Sequence, residues 1–347
     1  MREPKDAMAH LRSIGAFAAA ALLAGLVGAS PAQAQSVADF YRGKTITMLC
    51  GIGVGGEFDL LTRLVGRHIV HHIPGNPSSV AQNIVGATGM KMLNYLYEQA
   101  PRDGTYIGLV QTALPAAQTM GLPGIQFDAA KLHWLGTMAP STEVLGVMSR
   151  TGVKNIEDAR RREVVIGASS RGSNTHSFPT LMNELFGTKF KVVTGYNAGA
   201  QINLAMERGE VDGRVNSWAS FKANKPQWVK DKIVNFVAMS GPQPPDLDAP
   251  SVEEMAKTPE DRQFVELLLS GSLLGRPFAI APGVPDERIK ALRAAFDATM
   301  KDPAFLAEAA ALNFEVAPIS GEELQRTVEH IVSTPRQIAA RAKRFLE

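Results

Sequence analysis

A single cysteine, Cys50, stands in the 347 residues, so no intrachain disulfide can form and apolar cores must hold the chain. Neither sign of charge dominates: 36 Lys and Arg face 34 Asp and Glu, a net of +2 that leaves no basic footprint for nucleic acid. No short-period repeat is present, which excludes a solenoid. Near the start lies an uncharged run rich in Ala and Leu, residues 14–29, "IGAFAAAALLAGLVGA". It falls short of the roughly 20 apolar residues of a membrane span. It follows Arg2, Lys5 and Arg12 and leads to Ala32-Gln33-Ala34, a small-x-small cleavage pattern. Residues 1–34 therefore read as a cleavable secretory signal peptide. No Cys adjoins the cut and no Arg pair precedes the run, which argues against a lipid anchor and against the twin-Arg route.

Beyond the leader, short β-branched runs alternate with helical periods. Strands are expected at 45–49, 79–83 and 106–110, with helices at 58–71 and 90–99 between them. A longer extended stretch, 134–148, is broken by Ala139-Pro140 and carries the chain out of this first unit. A second series follows, with strands at 164–168, 190–194, 214–216 and 233–239 and helices at 176–186 and 200–208. A further helix covers 264–269, a strand 278–281, and helices 287–300 and 321–332 close the pattern. Such alternation predicts parallel strands with crossover helices, in two α/β lobes joined by a hinge. Ligands in this architecture bind at strand C-termini and in the cleft between lobes. Cys50, closing an apolar strand, reads as core packing.

Residues 51–56, "GIGVGG", have the G-x-G-x-x-G spacing of a dinucleotide loop, between a strand and a helix. That chemistry also needs a carboxylate at the end of the second strand to take the ribose hydroxyls. Asn83 stands there instead, and the next acid, Glu98, comes too late. The same turn still presents backbone N–H groups and a helix dipole to any anion, a carboxylate included, with Asp59 as a cap and Arg63 one turn on. A tight glycine turn without a ligand is the plainer alternative.

Other polar stretches are weaker signals. His68 and His72 share a helix face with metal-ligand spacing but no third ligand, and read best as a solvated helix end. "GASSRGSNTH" offers Ser169, Ser170, Ser173, Asn174, Thr175 and His176 at the start of a helix, an oxygen-binding pocket or simple capping. A Ser170 or Ser173 hydrolase with His176 is the competing enzyme class, although the G-x-S-x-G elbow is missing. Tyr196 and Trp218 each suit either the core or a cleft wall.

Four stretches then line up in order: "YRGKTITMLCGIGVGGEFDLLTR", "AQNIVGATGM", "APRDGTYIG" and "GYNAGAQINLAMERGEVDG". Together they resemble Bug-type (TctC-like) extracytoplasmic solute receptors, the binding proteins of tripartite tricarboxylate transporters. The resemblance implies a periplasmic, monomeric, non-enzymatic α/β protein with no cofactor. Its fold would be of the type II-like Venus-flytrap kind, with two hinge-connected Rossmann-like lobes, 35–139 plus 277–347 and 140–276. It would capture a small organic acid for membrane transporter subunits, or, in a related role, sense it for a signalling partner. Carried over, Gly53, Val54, Gly55, Gly56, Glu57, Phe58 and Asp59 form one first-lobe loop, and Asp103, Gly104 and Thr105 the other, with Thr112 nearby. The second lobe would add Ser169, Ser170, Ser173, Asn174, Thr175, His176, Tyr196, Ala198, Gly199 and Trp218. Two positions depart from the pattern. Glu57 replaces a small residue, and its charge repels a carboxylate unless it points outward, is protonated or meets a cationic group of the ligand. Ala198 replaces a glycine, with Gly199 one place late.

Overall fold

The computed structural model describes residues 36–346, except Gly172 and Asn197; the signal peptide expected over 1–34 lies outside the described residues. Among the described residues no helix is long and apolar enough to cross a membrane.

Among the described residues, eleven strands form two sheets. The first contains β1 (Thr45–Cys50), β2 (Ser78–Asn83), β3 (Tyr106–Leu109), β4 (His133–Thr137), β10 (Pro277–Ile280) and β11 (Ile319–Ser320), in the order β11-β4-β10-β3-β1-β2. The second contains β5 (Glu143–Met148), β6 (Glu163–Gly167), β7 (Lys189–Val193), β8 (Gly213–Ser217) and β9 (Val234–Ser240), in the order β7-β6-β8-β5-β9. The sequence period predicts parallel strands, and β1 pairs in parallel with β2 and β3, as β6 does with β7 and β8. Yet β10 runs antiparallel to β3 and β4, and β5 antiparallel to β8 and β9. The cause is where the chain enters. Leaving β4 at its C-terminal end, it reaches the second sheet at the edge where that sheet's parallel strands end, so β5 must run back from it. The return from β9 to β10 repeats this in the other direction.

Both crossings therefore lie on the edge that carries the loops after β1 and β6. They also touch: Ser141 N donates to Ser272 O at 2.8 Å, and Arg276 N to Thr137 Oγ1 at 2.8 Å. At Gly275, φ is +61° and a Cβ would stand 1.9 Å from Ala139 O, so only glycine fits this crossing.

One apolar cluster runs through both lobes, joining Leu49, Leu96 and Trp134 to Leu145, Val164 and Val237, and each lobe has a smaller cluster of its own. Helix Glu57–Ile69 buries Leu61, Leu64, Val65 and Ile69 at the 3–4-residue spacing of one face. They meet Met48, Phe278 and Phe296, each fully buried apolar side chain being worth roughly 1.5–3 kcal/mol. In the second lobe Trp218, Phe221 and Phe236 pack edge to face. Cys50 is fully buried, and burial pushes its thiol pKa up.

His68 and His72 are not a solvated helix end. His68 Nε2 lies 2.8 Å from Glu308 Oε2 and His72 Nε2 2.9 Å from Asp302 Oδ2, because helix Pro303–Ala311 packs beside them. A C-terminal helix absent from the expected pattern, Arg336–Leu346, leans on helix Pro259–Leu274. There Phe345 meets Phe264 edge-on at 5.6 Å, and Arg341 lies 4.0 Å over the same ring.

Candidate functional site

The loop after β1 is held in shape by the residues that replace a nucleotide-site acid. Asn83 Nδ2 donates to Ile52 O and to Asp59 Oδ1, both at 2.9 Å, while its Oδ1 accepts from Arg63 Nη2 at 3.2 Å. Asp59 is buried; its Oδ2 accepts from Gly55 N at 2.9 Å, and Arg63 Nε donates to both its oxygens at 3.1 Å. Burial pushes the Asp59 carboxyl up, but Arg63, the Gly55 N–H and the Asn83 amide outweigh it and hold the pKa at about 2. The sequence reading placed Asp59 among the ligand contacts; its oxygens are occupied by the protein, so it shapes the loop instead. Gly53, Val54 and Gly55 are exposed on the rim, and Gly56 starts helix Glu57–Ile69 without a side-chain cap. The first-turn N–H groups of that helix thus stay at its open end.

A cavity of about 320 Å³ lies between the lobes against this end. Glu57 and Phe58 reach it from the first lobe, Asn174 and Ser177 from the start of helix Asn174–Phe186, and Thr112 from the loop after β3. Two helix N-termini, one per lobe, thereby converge on one space of ordinary small-molecule size. Among the described residues, the buried hydroxyls of Ser177 and Ser272, both in its lining, make no hydrogen bond to the protein. Leu267, Leu269 and Met120 supply apolar wall.

Glu57 does not stand alone. Arg276 binds its Oε1 through Nη2 at 2.7 Å and Nε at 2.9 Å. None of the three escapes expected for its charge is this one: the cation comes from the protein itself and not from a ligand. Glu57, Arg276 and Ser141 line both this cavity and a wider groove of about 790 Å³ that runs along Trp218. Glu143, also at the cavity, accepts from Ser141 Oγ at 2.9 Å, and burial pushes its pKa up.

The second first-lobe loop expected at the site is elsewhere. Asp103, Gly104 and Thr105 precede β3, and because β1 and β3 are parallel they sit at the opposite end of the sheet from the loop after β1. There Tyr41 Oη donates to Gly104 O at 3.2 Å, Arg288 Nη1 to Asp103 O at 3.1 Å, and Thr105 N and Oγ1 to Asp103 Oδ1. Thr112, beyond the other end of the same strand, lines the cavity.

In the second lobe, Ser169, Ser173 and Thr175 knit their own loop. Thr175 Oγ1 accepts from Ser169 N at 3.0 Å, and Ser173 Oγ donates to Ser170 O at 2.7 Å. The His176 backbone N donates to Ser173 O at 3.0 Å, but among the described residues no hydrogen bond joins the Ser170 or Ser173 hydroxyl to the His176 ring. His176 Nδ1 is buried without a partner there, and its pKa is lowered by burial and then by Arg171. Tyr196 is half-buried on the core behind β6, and Ala198 is exposed ahead of helix Gly199–Arg208. Gly199 lines a separate second-lobe pocket. Trp218 is buried, donates from Nε1 to Asp246 Oδ1 at 2.8 Å, and walls the wider groove. Ser141, Glu143, Ser177, Ser272 and Arg276 were not singled out in the sequence; all but Ser177 lie in or beside the two crossings.

This is the two-lobed α/β fold of periplasmic solute-binding proteins of the TctC and Bug type. The chain is similar to a ligand-free TctC solute-binding protein from Polaromonas, with TM-score 0.68 and 17% identity over 88% of this chain and 98% of that one. It is similar to the periplasmic binding protein BugD, with TM-score 0.57 and 18% identity over 88% and 98%. It is also similar to the adipate-bound Rpa4515 of R. palustris, with TM-score 0.56 and 21% identity over 86% and 97%. Neither a family model nor a curated protein sequence matches the chain.

Proposed function

We propose that the chain is an exported, non-enzymatic receptor of the Bug type. It captures a small organic carboxylate between its lobes and delivers it to a tripartite tricarboxylate-type membrane transporter. The observation that carries this reading is the convergence of helices Glu57–Ile69 and Asn174–Phe186, one from each lobe, on a cavity with unpaired buried hydroxyls. A carboxylate there accepts from first-turn N–H groups and hydroxyls while lying at the positive ends of two helix dipoles. The adipate in Rpa4515 supports the ligand class. Residues 35–139 with 277–347, and 140–276, would be the lobes; each sheet draws all its strands from one of these sets. The C-terminal helix is assigned to the first lobe but leans on the second. Closure follows from contacts made only when both helix ends meet the ligand. Export after cleavage of 1–34 would place the receptor, as a monomer, in the periplasm.

Isothermal titration with mono-, di- and tricarboxylates and aromatic acids tests this. Saturable binding of at least one acid, weakened at least tenfold by Asn174→Leu, is expected; no binding across the panel sinks the carboxylate reading and leaves the fold intact.

A further inference from the structure

Arg214, on β8, turns its side chain under the first turn of helix Gly199–Arg208 and is only 4% exposed. Its Nη1 donates to Gly199 O at 2.6 Å and to Asn203 Oδ1 at 2.7 Å, and its Nε to Val215 O at 3.3 Å. All three acceptors are neutral. Among the described residues no carboxylate pairs with this guanidinium, and no acceptor takes the two N–H groups of Nη2. Burial lowers its pKa to about 10, against the pull of Glu143, so it is still a cation at neutral pH. A buried cation without a counter-ion is costly, and a bound anion removes that cost.

A pocket of about 470 Å³ opens over the guanidinium, with Asn203, Asn216 and Lys225 in its lining. Glu207 brings one carboxylate to the wall, but Lys225 Nζ pairs with it, so Arg214, with no carboxylate in contact and only the pull of Glu143, supplies the unpaired charge. Gly199 keeps the terminal nitrogens uncovered: a Cβ there would stand 2.8 Å from Nη2 and 3.1 Å from Nη1. Helix Gly199–Arg208 adds the positive end of its dipole. Ser220 and Asn224 line both this pocket and the groove along Trp218, so the two spaces adjoin.

We propose that Arg214 anchors a second anion pocket, within the second lobe, that takes the carboxylate of a small organic acid on the open face of its guanidinium. The planar donor fork matches a carboxylate's two oxygens. Phosphate offers similar oxygens and is the competing source. The inference stands apart from the reading of the interlobe cavity.

The test is a ¹H–¹⁵N titration of the labelled protein with succinate, acetate, phosphate and sodium chloride. It follows the Arg214 Nε–Hε signal and the Gly199 and Ala200 amides. Succinate or acetate should shift these saturably, with affinity falling at least tenfold in Arg214→Met. Gly199→Ala, which covers Nη2 while suiting the helix, should weaken binding with an unchanged circular dichroism spectrum. That second variant holds the test open should Arg214→Met fail to fold. Static Arg214 signals with both carboxylates, saturation by phosphate alone, or an equal response to chloride each overturn the proposal. Shifts confined to Phe58 and Asn174 also overturn it, while upholding the interlobe cavity.

Discussion

Asp59 is a motif residue whose two carboxylate oxygens are both taken up within the protein. It gathers Gly55, Arg63 and Asn83 around one buried carboxylate, so the loop that presents the helix Glu57–Ile69 N-terminus is fixed before anything binds. A folded pKa of about 2 against 3.8 corresponds to about 2 kcal/mol of folding stability. The folded value is depressed, so this stability is fully present above about pH 4 and is lost as pH falls toward about 2. Asp59→Asn should therefore lower urea-unfolding stability by about 2 kcal/mol at pH 7 and flatten its acid limb. An unchanged acid limb would show that another group controls this range. Asn83 was legible as a missing nucleotide-site acid; that its amide bridges Ile52 O and Asp59 was not, since the partners come together only once β1 and β2 pair.

At the level of elements, alternation of apolar runs located nearly every long strand and helix, because burial on one face leaves a period in the order of residues. Direction was not legible. Whether β5 and β10 run with or against their neighbours depends on which sheet the chain has just left, and no local pattern records that. The misplaced loop at 103–105 has a related cause. Its Asp-Gly signature precedes β3, whereas ligands gather where parallel strands end, a rule that points to Thr112 beyond the same strand. Helix Arg336–Leu346 escaped notice because its charged residues mask the apolar stripe of Ile338, Ala339 and Ala342. Arg341 ties it to Asp261 at 2.7 Å and to Glu184 at 2.9 Å while covering Phe264. Arg341→Ala should cost about 1–2 kcal/mol in denaturant unfolding, the sum of a partly exposed ion-pair network and one cation–π contact. Exposed Arg344, three residues on, is the control, and equal losses from both would remove the special role of Arg341.

Considered whole, the molecule is two sheets tied by two touching strands of chain, and much of the lining of the interlobe cavity is gathered along that seam. Glu143 and Arg276 stand there because the crossings do, and sequence motifs built on strand–turn–helix units do not reach them. The Glu57–Arg276 pair divides the space between the lobes into a compartment of about 320 Å³ and another of about 790 Å³. A partition made of one half-exposed ion pair is weak, worth roughly 0.5–1 kcal/mol, and strong salt screens it. For the acid ligand proposed above, the pair would act as a length filter: short acids would fit one compartment, and longer chains would have to part the pair to extend into the other. Arg276→Ala should raise the affinity of an eight-carbon diacid relative to a four-carbon one by roughly two- to fivefold in competition titrations. The unaltered protein in 1 M salt should drift the same way, and an unchanged ratio in both would refute the filter. How long a molecule this chain accepts would then be set by the ionic strength around it as well as by the shape of its walls.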